Sequence, residues 1–417
     1  MSRIILSAFA FLACVSHAEE SPGPPTPELL AAYQHDADLA CELHRALAKG
    51  RPAENVFFSS ASITSALAML CEGARGETQA ELFSVLQGTE EPSLAGLRAL
   101  RVDLRHRLSA ASGNILWRDA NAIWVDDQAT LVKATYQALR THHRAYIKPA
   151  DFRGHAGQAR EEINAWVEKK TRDRIKDLLP SSSVSATTRM VLVNAVYFLG
   201  KWEEEFEKRA TEDLPFQKAD GTETKVPFLR DRRALPVAFF NAADESQLPP
   251  EGAQLTAFEI PYRGGQLSFV GLIPADETGL PALENRMKSA LLTQWLGALQ
   301  EREVDFAMPK LDLNPSYDLR PVLLSLGLGR VLDPATADLG EFFEGGGDGL
   351  SITGAFHKSF LKVDEKGTEA AAATGLVVGR ASALAPTPVV HADRPYLFLI
   401  RERSTGAVLF MGRIANP

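Results

Sequence analysis

Cysteine is scarce in this sequence, with three among 417 residues. One of them, Cys14, falls in an N-terminal stretch that we expect to be removed, so the mature chain would keep Cys41 and Cys71. A chain of this length buries a large core without covalent cross-links, and free cysteine is usually buried. The sequence therefore favours two buried thiols on separate helices, and one disulfide between them is the alternative.

Long apolar runs and an excess of basic residues are also absent. No stretch of about 18 uncharged apolar residues occurs, so no membrane-spanning helix is predicted. The 45 basic residues are outnumbered by 53 acidic ones, and the net charge of −8 argues against broad binding to nucleic acid. With 45% hydrophobic and 24% charged residues, the composition is that of an ordinary globular protein.

Motifs of common enzyme sites are missing as well. The chain contains no G-x-S-x-G, H-E-x-x-H, C-x-x-C or P-loop pattern, and its nine histidines are scattered. Residues 327–329 lack the third glycine of a nucleotide-binding turn, and the glycines at 345–347 are not followed by a lysine. We therefore expect no enzymatic active site, no metal and no cofactor.

The N-terminus has the pattern of an export signal. Arg3 precedes a short apolar stretch at residues 4–15, and the small residues near Ala18 suit cleavage before Glu19. We expect residues 1–18 to be a signal peptide and residues 19–34 to be a Pro-rich tether. The mature protein would then be secreted or periplasmic. Lipid attachment at Cys14 is the less favoured alternative.

Hydrophobic periodicity separates the chain into a mainly helical first part and a strand-rich second part. Helical spacing recurs near residues 29–47, 63–70, 79–86, 97–108, 131–140, 156–179, 284–300 and 317–326. Strand patterns occur at residues 122–125, 190–198, 258–262, 267–273 and 304–311, and a hairpin is predicted from 396–400 and 407–414. Because helices concentrate early and no repeat or linker divides the chain, we expect one α+β domain.

The segment most informative about function begins at Val363 and reads VDEKGTEAAAAT. As a strand, it would place six uncharged side chains on one face, namely Thr368, Ala370, Ala372, Thr374, Leu376 and Val378. This face could be buried in a sheet, yet a loop rich in Gly, Ser, Ala and Pro follows it. The combination is typical of a segment that is a loop in one state and a strand in another. A flexible Ala-rich linker has a similar composition.

This segment is similar to the hinge of the reactive loop in serpins, and five further segments resemble the same family. NVFFSSASI from Asn55 resembles the stretch ahead of the second serpin helix, and INAWVE from Ile163 resembles the sixth. LVNAVYF from Leu192, followed by GKW, resembles the central strand and its turn. DRPYLFLI from Asp393 and LFMGRIANP from Leu409 resemble the closing hairpin. The resemblance covers the chain from about residue 35 to the end.

The resemblance implies an α+β serpin fold in one domain, residues 35–417. Such a domain has about nine helices around three mostly antiparallel sheets and an exposed reactive loop, here about residues 365–394. It also implies a monomeric inhibitor that acts as a suicide substrate. A serine protease, or a papain-like cysteine protease, would attack the loop and be trapped covalently when the cut loop inserts into the main sheet.

The resemblance also assigns roles to particular residues. The hinge would comprise Glu365, Gly367, Thr368, Glu369, Ala370, Ala371, Ala372 and Ala373. The shutter, a hydrogen-bond cluster under the sheet, would comprise Ser59, Ser62, Asn194 and His357. Ser60 stands where the family usually has proline. Trp202 and Lys310 match the breach, where the loop first enters, and Lys310 would pair with Glu365. For the shutter residues, the alternative is a structural polar network, and for Trp202 it is a core aromatic residue. For Lys310 and Glu365, it is an exposed ion pair worth under about 1 kcal/mol.

The reactive bond is predicted by counting from Glu365 with the spacing that the family usually keeps. The count places it between Ala381 and Ser382, and a small residue before the bond suits elastase-like or subtilisin-like proteases. A loop that is one residue shorter would be cut between Arg380 and Ala381, which suits trypsin-like proteases. Without that role, Arg380 would be a solvated charge.

Three arginines at helical spacing, Arg98, Arg101 and Arg105, form a second candidate site. Some serpins bind sulfated polysaccharides through this helix. Nearby acidic residues dilute the charge here, so an ordinary solvated helix face is favoured over a polysaccharide site.

Two functions remain open on the sequence. The first is inhibition of a serine protease. The second is a non-inhibitory role as a carrier, chaperone or surface-binding protein. The hinge discriminates between them, since loss of inhibition usually comes with charged, bulky or proline residues where residues 368–373 lie. Those residues are small on the inserting face, and the sequence favours inhibition.

Overall fold

The computed structural model describes residues 22–111, 115–240, 255–346, 350–368 and 387–417. Within these residues there are nine α-helices and two short 3-10 helices. The α-helices are α1 (Pro27–Ala48), α2 (Ser60–Cys71), α3 (Gly76–Gln87), α4 (Leu94–Ala110), α5 (Lys133–His142), α6 (Phe152–Lys170), α7 (Leu280–Arg286), α8 (Ser289–Gly297) and α9 (Arg320–Ser325). The 3-10 helices are Lys208–Ala210 and Arg330–Leu332. The first helix includes the last part of the predicted tether.

Seventeen strands occur in the same described residues. They are β1 (Val56–Phe58), β2 (Ile115–Asp126), β3 (Tyr146–Ala150), β4 (Met190–Lys201), β5 (Glu212–Gln217), β6 (Glu223–Phe240), β7 (Leu255–Pro261), β8 (Leu267–Pro274), β9 (Gln300–Pro309), β10 (Leu311–Leu313), β11 (Ser316–Asp318), β12 (Phe356–Lys358), β13 (Leu361–Asp364), β14 (Gly367–Thr368), β15 (Val389–His391), β16 (Tyr396–Glu402) and β17 (Val408–Ile414).

The strands form three sheets. A nine-stranded sheet has the order β1-β17-β16-β8-β7-β6-β9-β15, with β5 paired to β6. A six-stranded sheet has the order β10-β13-β14-β4-β2-β3, and β11 pairs with β12 in a third. Two pairs, β2 with β3 and β15 with β9, are parallel, and the other described pairs are antiparallel. The predicted α+β class with helices around three mostly antiparallel sheets is confirmed.

Side-chain caps begin the helices that carry the candidate site. Ser59 precedes α2 and accepts a hydrogen bond from the backbone N–H of Ser62 at 3.2 Å. Ser93 accepts from the N–H of Gly96 ahead of α4, and Asp151 accepts from that of Gly154 at the start of α6. These bonds satisfy N–H groups that have no partner inside the helix.

The core lies between the helices and the sheets, and it needs no covalent link. Cys41 on α1 and Cys71 on α2 are both buried free thiols. Burial raises the pKa of the Cys41 thiol to about 12, so the thiolate is disfavoured. Among the described residues, no helix is long and apolar enough to cross a membrane.

Three predicted helices end differently in the structure. The helix predicted at residues 156–179 stops at Lys170, because Arg172 and Asp173 have positive φ angles of 52° and 62°. The helix predicted at 284–300 is divided into α7 and α8 by extended backbone at Met287 and Lys288. The start of the helix predicted at 317–326 is strand β11, which pairs with β12.

Candidate functional site

The predicted hinge begins as a hairpin at one end of the six-stranded sheet. After β13, the chain turns through Glu365 and Lys366, and β14 then lies between β13 and β4. Thr368 is opposite Val363 on one side and Gly200 on the other. Gly367 has φ +147°, and a Cβ atom there would collide with the carbonyl oxygen of Gly200. Glycine is therefore required at this position by both its φ angle and its close approach to β4.

Thr368 is buried next to Tyr262, which packs against Trp202. It is 1% exposed, and its hydroxyl is 2.7 Å from the hydroxyl of Tyr262. Burial raises the pKa of the Tyr262 phenol, which stays protonated and can donate this hydrogen bond. Tyr262 stacks on Trp202 with ring centroids 4.8 Å apart. Sequence reasoning missed Tyr262, since it comes from a strand end 106 positions away and carries no local signal.

Trp202 holds the hairpin turn directly. Its side chain is fully buried, and its indole N–H donates to the backbone oxygen of Asp364 at 3.0 Å. Its backbone N–H donates to the backbone oxygen of Lys366 at 2.9 Å. The residue that matched the breach by resemblance is thus a core aromatic that also fixes where β14 begins.

Glu365 and Lys310 form the ion pair expected at this end of the sheet. The Lys310 ammonium lies 3.1 and 3.0 Å from the two carboxylate oxygens, and the Thr211 hydroxyl donates to one of them at 2.7 Å. The Glu365 side chain is only 10% exposed, so the pair is not the exposed one considered as the alternative. Burial alone would raise the pKa of Glu365, but hydrogen bonds from Thr211 and Lys310 outweigh it and keep the pKa below its ordinary value.

Glu365→Lys should make the protein polymerise at temperatures where the unmodified chain stays monomeric. The substitution puts a second ammonium against Lys310, separates β13 from β4 and exposes strand edges that can accept another chain. Size-exclusion chromatography after graded warming measures the effect, and Lys310→Glu added to the variant should partly restore the monomer. Glu303→Lys is the matched control, because its partner Arg232 lies in an exposed pair. Equal polymerisation of both single variants would contradict the role of this ion pair.

Three of the four predicted shutter residues are linked below the sheet. The N–H of Ser59 donates to Nε2 of His357 at 3.1 Å, and the Ser59 hydroxyl donates to the carbonyl of Leu409 at 2.9 Å. Ser62 joins through its backbone N–H, which donates to the Ser59 hydroxyl. The hydroxyl of Ser60, the residue that departs from the family pattern, donates to the carbonyl of Val408 at 2.6 Å.

Asn194 on β4 makes no described hydrogen bond to this cluster. Its side-chain amide donates to the side-chain oxygen of Asn121 on the adjacent strand β2. Sequence reasoning missed Asn121, because the antiparallel register that places it opposite Asn194 is not visible in either segment alone.

His357 is neutral in this structure. It is 2% exposed, and burial lowers the pKa of its imidazole to about 4. The bond from the Ser59 N–H also needs an unprotonated Nε2 that can accept it. Both observations oppose a positive charge at this position.

The protein should lose stability between pH 7.5 and 5 in a way that depends on His357. Unfolded histidine has a pKa of about 6.5, so the unfolded chain gains a proton as pH falls while the folded chain does not. For a folded pKa of about 4, this removes about 2 kcal/mol by pH 5, or very roughly 4 °C in thermal midpoint. His357→Gln keeps a hydrogen-bond acceptor but has no group that titrates in this range. The thermal midpoint of this variant should therefore fall less as the pH is lowered. An identical pH dependence in the variant would refute the assignment.

A cleft borders the six-stranded sheet near the start of β4, at the other end of this strand from the hinge. It has a volume of about 80 Å³ and lies between the first residues of β4 and residues 352–357, with Ile63 and Leu67 of α2 at its floor. Within the described residues, β4 pairs with β2 along one edge, and on the other edge it pairs only with β14, at Gly200 and Lys201. The remainder of that edge is the place where an added strand would bond.

Most of the predicted loop lies outside the described residues. This applies to the hinge residues after Thr368, to both candidate bonds and to the proposed signal peptide. The affected candidate residues are Glu369, Ala370, Ala371, Ala372, Ala373, Arg380, Ala381 and Ser382. The described chain resumes at Thr387, and β15 pairs with β9 at the edge of the nine-stranded sheet. The two ends of the loop are therefore anchored in different sheets.

The three arginines of α4 do not form a common exposed face. Arg101 is 4% exposed, and its Nη2 atom donates to Asp36 of α1 at 2.8 Å. Arg98 makes two hydrogen bonds to the buried carboxylate of Glu72. The solvated helix face that we favoured is wrong for Arg101, and a polysaccharide site that uses this side chain is equally inconsistent with its burial.

Among the described residues, no group of three or more His, Cys, Asp or Glu side chains could hold a metal ion.

Comparison with known proteins identifies the family of this chain. A family model described as Serpin (serine protease inhibitor) matches residues 34–417. Neuroserpin from Gallus gallus is 32% identical over 91% of this chain and 90% of its own length. Serpin B9 from Homo sapiens is 33% identical over 91% of this chain and 97% of its own.

Solved structures give the same result. Native protease nexin-1 with heparin has a TM-score of 0.82 and 27% identity, covering 93% of this chain and 100% of its own. Uncleaved ovalbumin has a TM-score of 0.81, 27% identity and the same coverages. Human thyroxine-binding globulin complexed with thyroxine has a TM-score of 0.79 and 28% identity, covering 94% of this chain and 99% of its own.

Proposed function

Because this chain belongs to the serpin family, we propose that it is an exported suicide-substrate inhibitor of serine endopeptidases. Family membership gives the fold and makes an inhibitory role the first expectation. The observation that carries the proposal is the position of β14, which places Gly367 and Thr368 between β13 and β4. If β14 were extended beyond Thr368 in the same register, the added residues would lie along an edge of β4 that, within the described residues, has strand partners only at its end.

The composition of the inserting segment supports the same function. An added strand must bury one face against the core, and charged side chains on that face would be costly. Thr368 is already buried there, and the following residues on its face are alanine, alanine and threonine. The apolar floor of the cleft, formed in part by Ile63 and Leu67, suits small uncharged side chains.

The proposed reaction uses the protease's own chemistry. The protease serine oxygen attacks the carbonyl carbon of Ala381, the bond to the nitrogen of Ser382 breaks, and that nitrogen leaves as an amine with the proton supplied by the protease. An ester then joins Ala381 to the protease. Insertion of the freed segment beside β4 carries the ester away and distorts the protease active site, so water does not complete the hydrolysis. With alanine before the bond, the proposed targets are elastase-like or subtilisin-like proteases.

The test is incubation with elastase, subtilisin, trypsin and papain, followed by denaturing electrophoresis. We expect a complex that survives detergent with elastase or subtilisin, and a released C-terminal fragment that begins at Ser382. A fragment that begins at Ala381 would move the bond to Arg380 and favour trypsin-like targets, and Arg380→Ala would then abolish the complex. Cleavage by all four enzymes without any stable complex would reject inhibition.

A non-inhibitory role is the second candidate function. It is favoured by the similarity to ovalbumin and thyroxine-binding globulin, the second of which was solved with thyroxine. This chain would then be a carrier or chaperone, and its loop would be cut without being inserted.

Export is tested separately by N-terminal sequencing of secreted protein, which should begin at Glu19, whereas a lipid-modified Cys14 would indicate an anchor.

A further inference from the structure

A small cavity with both polar and apolar lining lies under the six-stranded sheet, where α2 and α4 cover β2 and β4. It has a volume of about 40 Å³, several times the ~10–15 Å³ that one ordered water needs. It is separate from the cleft along β4, although Asn194 borders both. The proposed inhibitory mechanism assigns it no role.

Three buried side chains from different elements border this cavity, and each carries at least one polar atom that lacks a partner. These atoms are Nε and Nη1 of Arg101 on α4, the hydroxyl of Ser62 on α2 and the side-chain oxygen of Asn194 on β4, and none of them has a hydrogen-bond partner in the described structure. The residues are 4%, 3% and 8% exposed, respectively. An unsatisfied buried polar atom is destabilising, so several around one cavity indicate a bound species.

The charge of the lining favours an anion over water alone. Arg101 and Arg105 both border the cavity, and no described carboxylate is part of the lining. His143 also borders it, but its ring nitrogen is 2.8 Å from the carboxylate of Glu72. Asp36 neutralises Arg101 only through Nη2, which leaves the other two guanidinium nitrogens without an acceptor. A buried guanidinium retains its charge and binds oxyanions well.

Asn194 adds a requirement that a simple anion does not meet. Its side-chain nitrogen donates to Asn121, so the side-chain atom that lacks a partner is an acceptor. The occupant must therefore accept hydrogen bonds from Arg101 and also donate one to Asn194. The Ser62 hydroxyl can act in either direction.

We propose that this cavity is a binding site for a small oxyanion that keeps a proton near neutral pH, such as hydrogen phosphate or bicarbonate. Its ionised oxygens accept from Nε and Nη1 of Arg101, and its hydroxyl group donates to Asn194. Each of these bonds uses an atom that otherwise has no partner. The bound anion joins α2 and α4 to β4, and the half-buried side chains of Arg105 and Ser65 also border the cavity.

The test is isothermal titration of the full chain with inorganic phosphate, and separately with bicarbonate, at pH 7 and constant ionic strength set by KCl. We expect one site per chain for at least one of the two anions. The titration that shows binding identifies the anion. Sulfate carries no proton at this pH and should bind at least about tenfold more weakly, because it cannot donate to Asn194. Sulfate binding of equal strength would overturn the requirement for a proton.

Two variants test the residues. Arg101→Lys keeps the charge and an ion pair with Asp36 but removes the other donors, and it should weaken binding at least about tenfold. Arg98→Lys, on the same helix but outside the lining, is the matched control and should bind normally. Ser62→Ala should weaken binding severalfold, and it replaces Arg101→Lys as the test if circular dichroism shows that the lysine variant is unfolded. Absence of binding above the KCl background, or equal loss in the variant and the control, would overturn the proposal and leave water as the occupant.

Discussion

Thr368→Arg should convert the protein from an inhibitor into a plain substrate of its target protease. In the structure, Thr368 is 1% exposed and bonded to Tyr262 beneath the Trp202 ring. A guanidinium in that position would be buried without a partner, at a cost of several kcal/mol. We expect arginine to hold the hinge outside the sheet in the uncleaved protein, so that burying it becomes part of the insertion barrier. Insertion is then slower, and hydrolysis of the acyl-enzyme is completed first.

The measurement is the number of inhibitor molecules consumed per protease molecule trapped. It should rise by at least about tenfold, since several kcal/mol in an activation barrier correspond to more than one factor of ten in rate. Thr368→Ser retains the hydroxyl that reaches Tyr262 and is the matched control, with a ratio close to that of the unmodified protein. An arginine variant that traps protease as efficiently as the serine variant would show that β14 does not lead the insertion.

Cleavage in the loop between Thr368 and Thr387 should raise the thermal midpoint of the protein by at least about 10 °C. An inserted strand would add several ladder hydrogen bonds at roughly 1 kcal/mol each and would bury the uncharged face of the segment. For a chain of this size, each kcal/mol corresponds to about 2 °C or somewhat less. The uncleaved protein is then held in a less stable state by a barrier, and cutting the loop removes that barrier.

The experiment compares intact and fully cut protein by calorimetry, after limited digestion with a protease that cuts the loop without being trapped. Thr368→Arg, cut in the same way, supplies the control, because it is cleaved but should not insert and should show little change. If the unmodified chain keeps its midpoint after complete cleavage, the loop does not insert, and the carrier function becomes the better explanation.

Several elements follow from local pattern alone. The continuous apolar run of β4 and the helical spacing of α1 to α4 predicted the right element types, since both depend on periodic burial within one segment. Ser59 ahead of α2 is a typical helix cap, and its local bond to Ser62 is present. The requirement for a small, uncharged inserting face was also evident from alternation along the hinge.

Other elements were misassigned because distant residues determine them. The predicted helix at 284–300 is divided where α1 intervenes: Arg45 donates to the backbone oxygen of Met287, and Asp38 accepts from the backbone N–H of Ser289. The buried residues after α6, such as Ile175, continue a helical period, although the chain has already left the helix. Thr171 closes that turn by accepting from the N–H of Ile175.

The sequence by itself determined the class of fold, the family resemblance and the residue types that a strand-inserting hinge requires. Only the tertiary structure decided which side chains meet: Thr368 with Tyr262, Asn194 with Asn121, and Arg101 with Asp36 rather than with solvent. Periodicity specifies which face of a helix or strand is apolar, because that depends on neighbours three, four or two residues away. It does not specify which distant segment covers that face, because register and packing between segments depend on the whole chain at once.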